Sequence, residues 1–134
     1  MKTLVLSALV SLSAFAAQAR DMTYICTLKV PASQGWVPSQ LVILHKDDEP
    51  TALVNDPIIA HFVKKPVEAK VVANNSKRIA FTWELKEIVN REGQKTQRFN
   101  YRAAYIKTTG KISVSARPDG FSDVFDAYGT CEVK

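Results

Sequence analysis

Chemistry in this chain would have to come from two cysteines, two histidines and a scatter of carboxylates and hydroxyls. Cys26 stands in "TYICTLK" and Cys131 in "YGTCEVK", at opposite ends of the sequence. Two distant thiols are too few for a structural metal centre, which usually needs four ligands. In an exported chain they read instead as one disulfide. His45 runs into Asp47, Asp48 and Glu49, a grouping that could surround a cation. An Asp-rich turn has the same composition with no ion, so no ligand is assigned. His61, in "IIAHFV", reads as a partly buried packing residue with one hydrogen bond rather than a general base.

Nucleophilic catalysis by serine would call for an elbow such as G-x-S-x-G, and the chain has none. Glycosidase chemistry needs two carboxylates flanking a cleft. Here Asp and Glu fall in turns or on the polar phase of alternating segments, which suits cross-strand ion pairs better. The expectation is a non-enzymatic protein without cofactor or metal.

The elements that position these residues come after a leader. "MKTLVLSALVSLSAFAAQA" has a basic start at Lys2, an apolar run and a small-x-small ending at Ala17-Gln18-Ala19, the pattern of a cleaved secretory signal peptide over residues 1–19. Ser7, Ser11 and Ser13 interrupt the run, which is shorter than the ~20 apolar residues of a membrane span. The expectation is a bacterial protein, periplasmic or secreted, with residues 20–134 forming one domain and no membrane span after cleavage. The formal net charge of +5 is mild, and acidic and basic residues alternate in "WELKEIVNREGQK". Nucleic-acid binders cluster their basic residues with aromatic platforms, so nucleic acid is not an expected partner.

Period-two alternation of apolar and polar residues dominates the chain after the leader. It predicts strands at 22–30, 40–45, 51–55, 67–73, 78–89, 96–108, 111–117 and 124–133, with a short helix or an irregular crossing in "PIIAHFVKKP". The intervening segments are rich in Gly, Pro, Asn, Asp and Ser, the turn formers. Placing Cys26 opposite Cys131 sets Tyr24 by Val133 and Leu28 by Gly129, so the first and last strands can be neighbours. About eight antiparallel strands with touching ends make an up-and-down β-barrel, lipocalin-like or lysozyme-inhibitor-like in outline and expected as a monomer. A two-sheet β-sandwich is the alternative. The inward set includes Tyr24, Leu28, Phe81, Trp83, Leu85, Tyr101, Tyr105, Ile112, Val114 and Phe125, and so many bulky groups argue for a filled barrel.

Hairpin register then predicts the outer surface. A two-residue turn at Thr109-Gly110 sets Tyr105 against Val114, and matching apolar residues around "NREGQK" sets Leu85 against Tyr101 and Phe81 against Tyr105. Glu84 then lies opposite Arg102, with Arg117 on the other side of Arg102. Ala80, Thr82, Ala104, Ser113, Ser115 and Ile106 share this outer phase. Arg102, Arg117, Ile106 and Glu84 form a candidate partner-binding face for a protein or an anionic envelope component. Trp36, in a Gly/Pro loop, either plugs the barrel end or anchors a partner, and plugging is the expected role.

The ends of the chain resemble the periplasmic inhibitors of C-type lysozyme, which are small exported barrels with a Y-x-C opening and a cysteine in the last strand, here "YIC" and "GTC". The resemblance implies the barrel fold and, as an alternative function, inhibition of a cell-wall hydrolase. The family's inhibitory Ser-Gly-x-x-Tyr loop has no counterpart, since none of the glycines at 35, 93, 110, 120 and 129 follows a serine. No functional residue is carried over. A small-molecule carrier using the barrel interior is the other alternative.

Overall fold

The computed structural model describes residues 20–31, 35–89, 93 and 95–134; the predicted leader lies outside the described residues. Eight antiparallel strands close into one barrel in sequence order: β1 (Asp21–Lys29), β2 (Gln40–Lys46), β3 (Thr51–Asn55), β4 (Val67–Asn74), β5 (Arg78–Val89), β6 (Lys95–Ile106), β7 (Lys111–Pro118) and β8 (Phe125–Val133). A short helix, α1 (Pro57–Phe62), bridges β3 and β4. The barrel, not the sandwich, is the architecture, and its closure pairs every strand on both sides and so leaves no open sheet edge.

Closure occurs where the terminal strands meet. Cys26 pairs with Cys131, Tyr24 with Val133 and Leu28 with Gly129, the register expected from their apolar phase. The Cys26–Cys131 disulfide joins residues separated by 105 positions. Gly129 is required beside it, because a Cβ there would collide with the Thr27 carbonyl of the neighbouring strand.

Inward residues fill the barrel in layers. At one end Tyr24 meets Phe81 and Tyr105 edge-on, with centroids 5.9 and 5.1 Å apart, and His45 lies 5.9 Å from Phe81. In the other half Trp83 stacks on Tyr101 at 5.4 Å, Phe99 is next in line, and Trp36 lies over Phe99 at 4.5 Å. Leu41, Ile43, Val54, Ile79, Leu85 and Val114 close the space between the rings. Phe125 is the exception among the expected interior residues: it is half-buried, at the β8 end near the barrel mouth.

Turn chemistry ends the elements. Asp56 caps α1, its Oδ1 accepting from the Ile58 and Ile59 amides at 2.7 and 2.8 Å, and Pro57 supplies a ready-made first helical residue. The helix stops where Val63 and Lys64 both donate to the Ile59 carbonyl and Lys64 turns left-handed at φ 65°. A β-bulge between Val71 and Ala73 throws Val72 outward.

Two hairpins differ from the expected register by two residues. The β6–β7 turn spans four residues rather than two, so Tyr105 faces Ile112 and Ala103 faces Val114. Across β5 and β6, Trp83 faces Tyr101, Leu85 faces Phe99 and Ile79 faces Tyr105. A shift of two leaves every side chain on its predicted face, because the side-chain period is itself two. Apolar matching therefore detects odd slips and is blind to even ones.

Candidate functional site

That even slip rearranges the outer face. Glu84 lies opposite Asn100, not Arg102. Arg102 sits between Thr82 and Ser115, and Arg117 lies opposite Asn100. The expected Glu84–Arg102 pair is therefore replaced: Glu84 approaches Arg98 at 3.9 Å, and Arg98 also reaches Asp119 at 3.6 Å. Arg102 and Arg117 become diagonal neighbours on adjacent strands, within reach of one bound group. Ile106 lies two rows away, between Arg78 and Lys111, so it does not share their immediate surroundings.

What the structure brings together is an open groove of about 770 Å³ across β4, β5, β6 and β7. Small polar residues form its floor: Thr82, Asn100 and Ser115. Glu68, Lys70, Glu84, Arg102 and Arg117 stand around it, with Val124 at one margin. Alternation along each strand makes this surface, since Trp83, Tyr101, Val114 and Ala116 turn inward and push the intervening residues out. Among the described residues neither Arg102, Arg117, Lys70 nor Glu68 has an oppositely charged group at ion-pair distance. Sequence reasoning missed Glu68 and Lys70 because the pattern offers no register for β4 against β5.

Trp36, which the sequence offers as plug or anchor, is buried, and its carbonyl accepts a 2.6 Å hydrogen bond from the Tyr101 hydroxyl. Burial, and then the nearby Asp56 charge, pushes the Tyr101 phenol well above its usual range. His45 is buried as well, its Nε2 2.9 Å from the Glu49 carbonyl. No group of three or more His, Cys, Asp or Glu suited to a metal ion occurs among the described residues. His61 is exposed on α1 rather than partly buried, because a helix of six residues buries only Ile59 fully and turns its last residues to solvent. Ala80, on the expected outer phase, has no exposure; its cross-strand partners are Ala73 and Ala104.

Asp56 is a feature that sequence reading missed. Only its Oδ1 is engaged; Oδ2 and the Trp83 Nε1 are buried side-chain polar atoms without a hydrogen-bond partner among the described residues. Burial raises the Asp56 pKa to about 6, against the lowering effect of the Ile59 and Ile58 amides. The Asp-Pro start of a helix was the available signal.

A second surface was also missed. Ile25 pairs with Val42 and Leu44 with Leu53 on the outside of β1, β2 and β3, each at least 36% exposed. The signal was present in "LVIL" and "ALV", where apolar residues occupy both phases of a strand.

No family model, no curated protein and no solved structure matches this chain. The disulfide, and the lack of any membrane-crossing helix among the described residues, are compatible with export.

Proposed function

We propose that this protein is an exported, non-enzymatic binding module that contacts a protein or an envelope component through the outside of its barrel. The supporting observation is the groove over β4–β7, where Arg102 and Arg117 stand diagonally on adjacent strands with no carboxylate of the described residues at ion-pair distance. Surface arginines that fold stability alone selected would gain from an acidic cross-strand neighbour, as Arg98 does. A guanidinium pair left open is suited to a carboxylate or another oxyanion. The interior favours an external site over a carrier role, because its rings and aliphatic side chains pack against one another through the barrel.

Export is the reading of the leader pattern and agrees with a disulfide that a reducing compartment would not maintain. The test is capture from envelope extract on immobilised protein, with Arg102→Glu/Arg117→Glu beside the wild type. A partner retained by the wild type and lost by the variant is the expected result; equal recovery from both would remove this face from consideration. Native mass spectrometry of the gently purified protein checks the carrier alternative, which requires a reproducible mass above that of the chain.

A further inference from the structure

Along one row of the groove the charges are sorted: Glu68 on β4 and Glu84 on β5, then Asn100 on β6 and Arg117 on β7, with Arg102 diagonal to Arg117. Lys70, also on β4, stands one row from Glu68, and Arg98 reaches Glu84 at 3.9 Å. Like charges on adjacent strands repel, and a sheet surface under no constraint but folding would gain by exchanging one member of each pair. The protein keeps a cation pair at one end of the groove and a carboxylate pair at the other. We infer that the groove is a dipolar site for an extended, mixed-charge protein segment, its carboxylate held by Arg102 and Arg117 and its cationic side chain by Glu68 and Glu84. This rests on the binding face proposed above and specifies what the face recognises.

Charge complementarity selects this occupant. A polyanion would meet the arginines but be repelled at Glu68 and Glu84, and a polycation would meet the reverse. Lys70, one row from Glu68, and Asp126, opposite Ser115, stand in the row of Arg102, and neither lies at ion-pair distance from a groove charge; Glu84 is shared with Arg98 at 3.9 Å, and Glu68 has no cation of the described residues at that distance. Distance sets the spacing. Crossing from β7 to β4 takes three strand intervals of about 4.8 Å, roughly 14 Å. An extended chain advances about 3.3 Å per residue, so residues four apart span nearly that distance and point to the same side. The segment expected to fit therefore carries an acidic and a basic residue four positions apart. Thr82, Asn100 and Ser115 on the floor offer hydrogen bonds to its backbone.

The test uses the purified protein in an NMR titration with blocked synthetic peptides. One has Lys and Asp four apart in a Gly/Ser background; others have Lys and Asp adjacent, Lys alone, Asp alone, or two Asp four apart. The spaced mixed-charge peptide is expected to shift resonances of Arg102, Arg117, Ser115 and β4 around Glu68. It should bind at least about threefold more tightly than any single-charge peptide, in line with exposed ion pairs, and weaken with added salt. Arg102→Gln/Arg117→Gln and Glu68→Gln/Glu84→Gln should each remove that advantage. All four residues are exposed, and an unchanged thermal midpoint will show that each variant is folded.

Binding of the two-Asp peptide as tight as that of the mixed peptide overturns the dipolar site. Loss in the arginine variant alone does the same while leaving the binding face standing. Indifference to both variants, or shifts confined to β1–β3, removes the dipolar site and the face together. Concentration-dependent sedimentation that both variants abolish would assign the groove to a second copy of the chain and also overturn the proposal.

Discussion

The two outer faces of this barrel enclose a continuous core but differ in character. Over β4–β7 the outward positions are mostly Glu, Lys, Arg, Thr, Asn and Ser, with Val72, Ala104 and Ile106 set among them, whereas over β1–β3 Ile25, Val42, Leu44 and Leu53 stand together. The interior places the same demand on both sides, an inward apolar residue at every second position, and both sides meet it with Leu41, Ile43 and Val54 or with Phe81, Trp83 and Tyr101. Burial in the core therefore explains neither outside. The apolar face continues toward α1 through a depression of about 420 Å³ lined by Val42, Leu44, Leu53, Asp56 and Pro66. Contrast between the faces shows that inward alternation specifies a barrel while leaving its outer surface open to other selection.

The sharpest way to break this comparison is to truncate one leucine on each side of the wall. Leu41→Ala, at a position with no exposure, is expected to cost about 2–5 kcal/mol. Leu53→Ala, 47% exposed, should stay within about 0.5 kcal/mol. Urea unfolding measures both, and similar losses would mean that the β1–β3 face is not an outer surface.

The seam that ties the β1–β3 side to β8 comes next. Cys26→Ala/Cys131→Ala is expected to cost about 2–4 kcal/mol, as is typical for removing a native disulfide that closes a long loop. The variant's resonances in β1 and β8 should broaden before those of the β5–β6 hairpin. Uniform loss would show that the seam is no weaker than the rest of the barrel.

Asp56, at the edge of the apolar face, supplies a pH dependence. Its folded-state pKa of about 6 exceeds the ordinary value of 3.8, so between these values the folded chain retains a proton that the unfolded chain releases. The stability this contributes is fully present below the unfolded value and is lost as pH rises through about 6. A shift of this size is worth about 2–3 kcal/mol. Asp56→Asn preserves a good helix cap and should flatten stability across that window. Denaturant midpoints at successive pH values will show it, and an unchanged slope would place the titration elsewhere.

The smallest expected effect concerns the apolar face itself. Leu44→Lys/Leu53→Lys should change stability by less than about 1 kcal/mol while lowering the binding of a hydrophobic dye. Unaltered dye binding would show that these side chains do not form an accessible patch.

Much of the fold was legible because period-two patterning and turn residues are local signals. The spans of β3 and β5 coincide with the expected 51–55 and 78–89, and pairing of Cys26 with Cys131 came from matching inward residues on the first and last strands. The candidate site was legible only in part. Arg102, Arg117 and Glu84 were identified as outward, and they do line one groove, but their pairing depended on whether the β6–β7 turn used two residues or four. "KTTG" permits either, and apolar matching scores both alike. Glu68 entered the site through β4, whose bulge at Val72 shifts its register in a way no alternation pattern encodes.

The sequence by itself determined the inward phase of the strands, the segments in which the chain turns, and that two distant cysteines had each other as partners. Those properties depend on neighbours along the chain and on a single period. Tertiary structure decided which outward residues stand together, and so separated a charged groove from an apolar wall. Side-by-side placement depends on even register shifts, a bulge and the closure of β1 on β8, and each of these acts between strands that are distant in sequence or whose turn length the residues leave open.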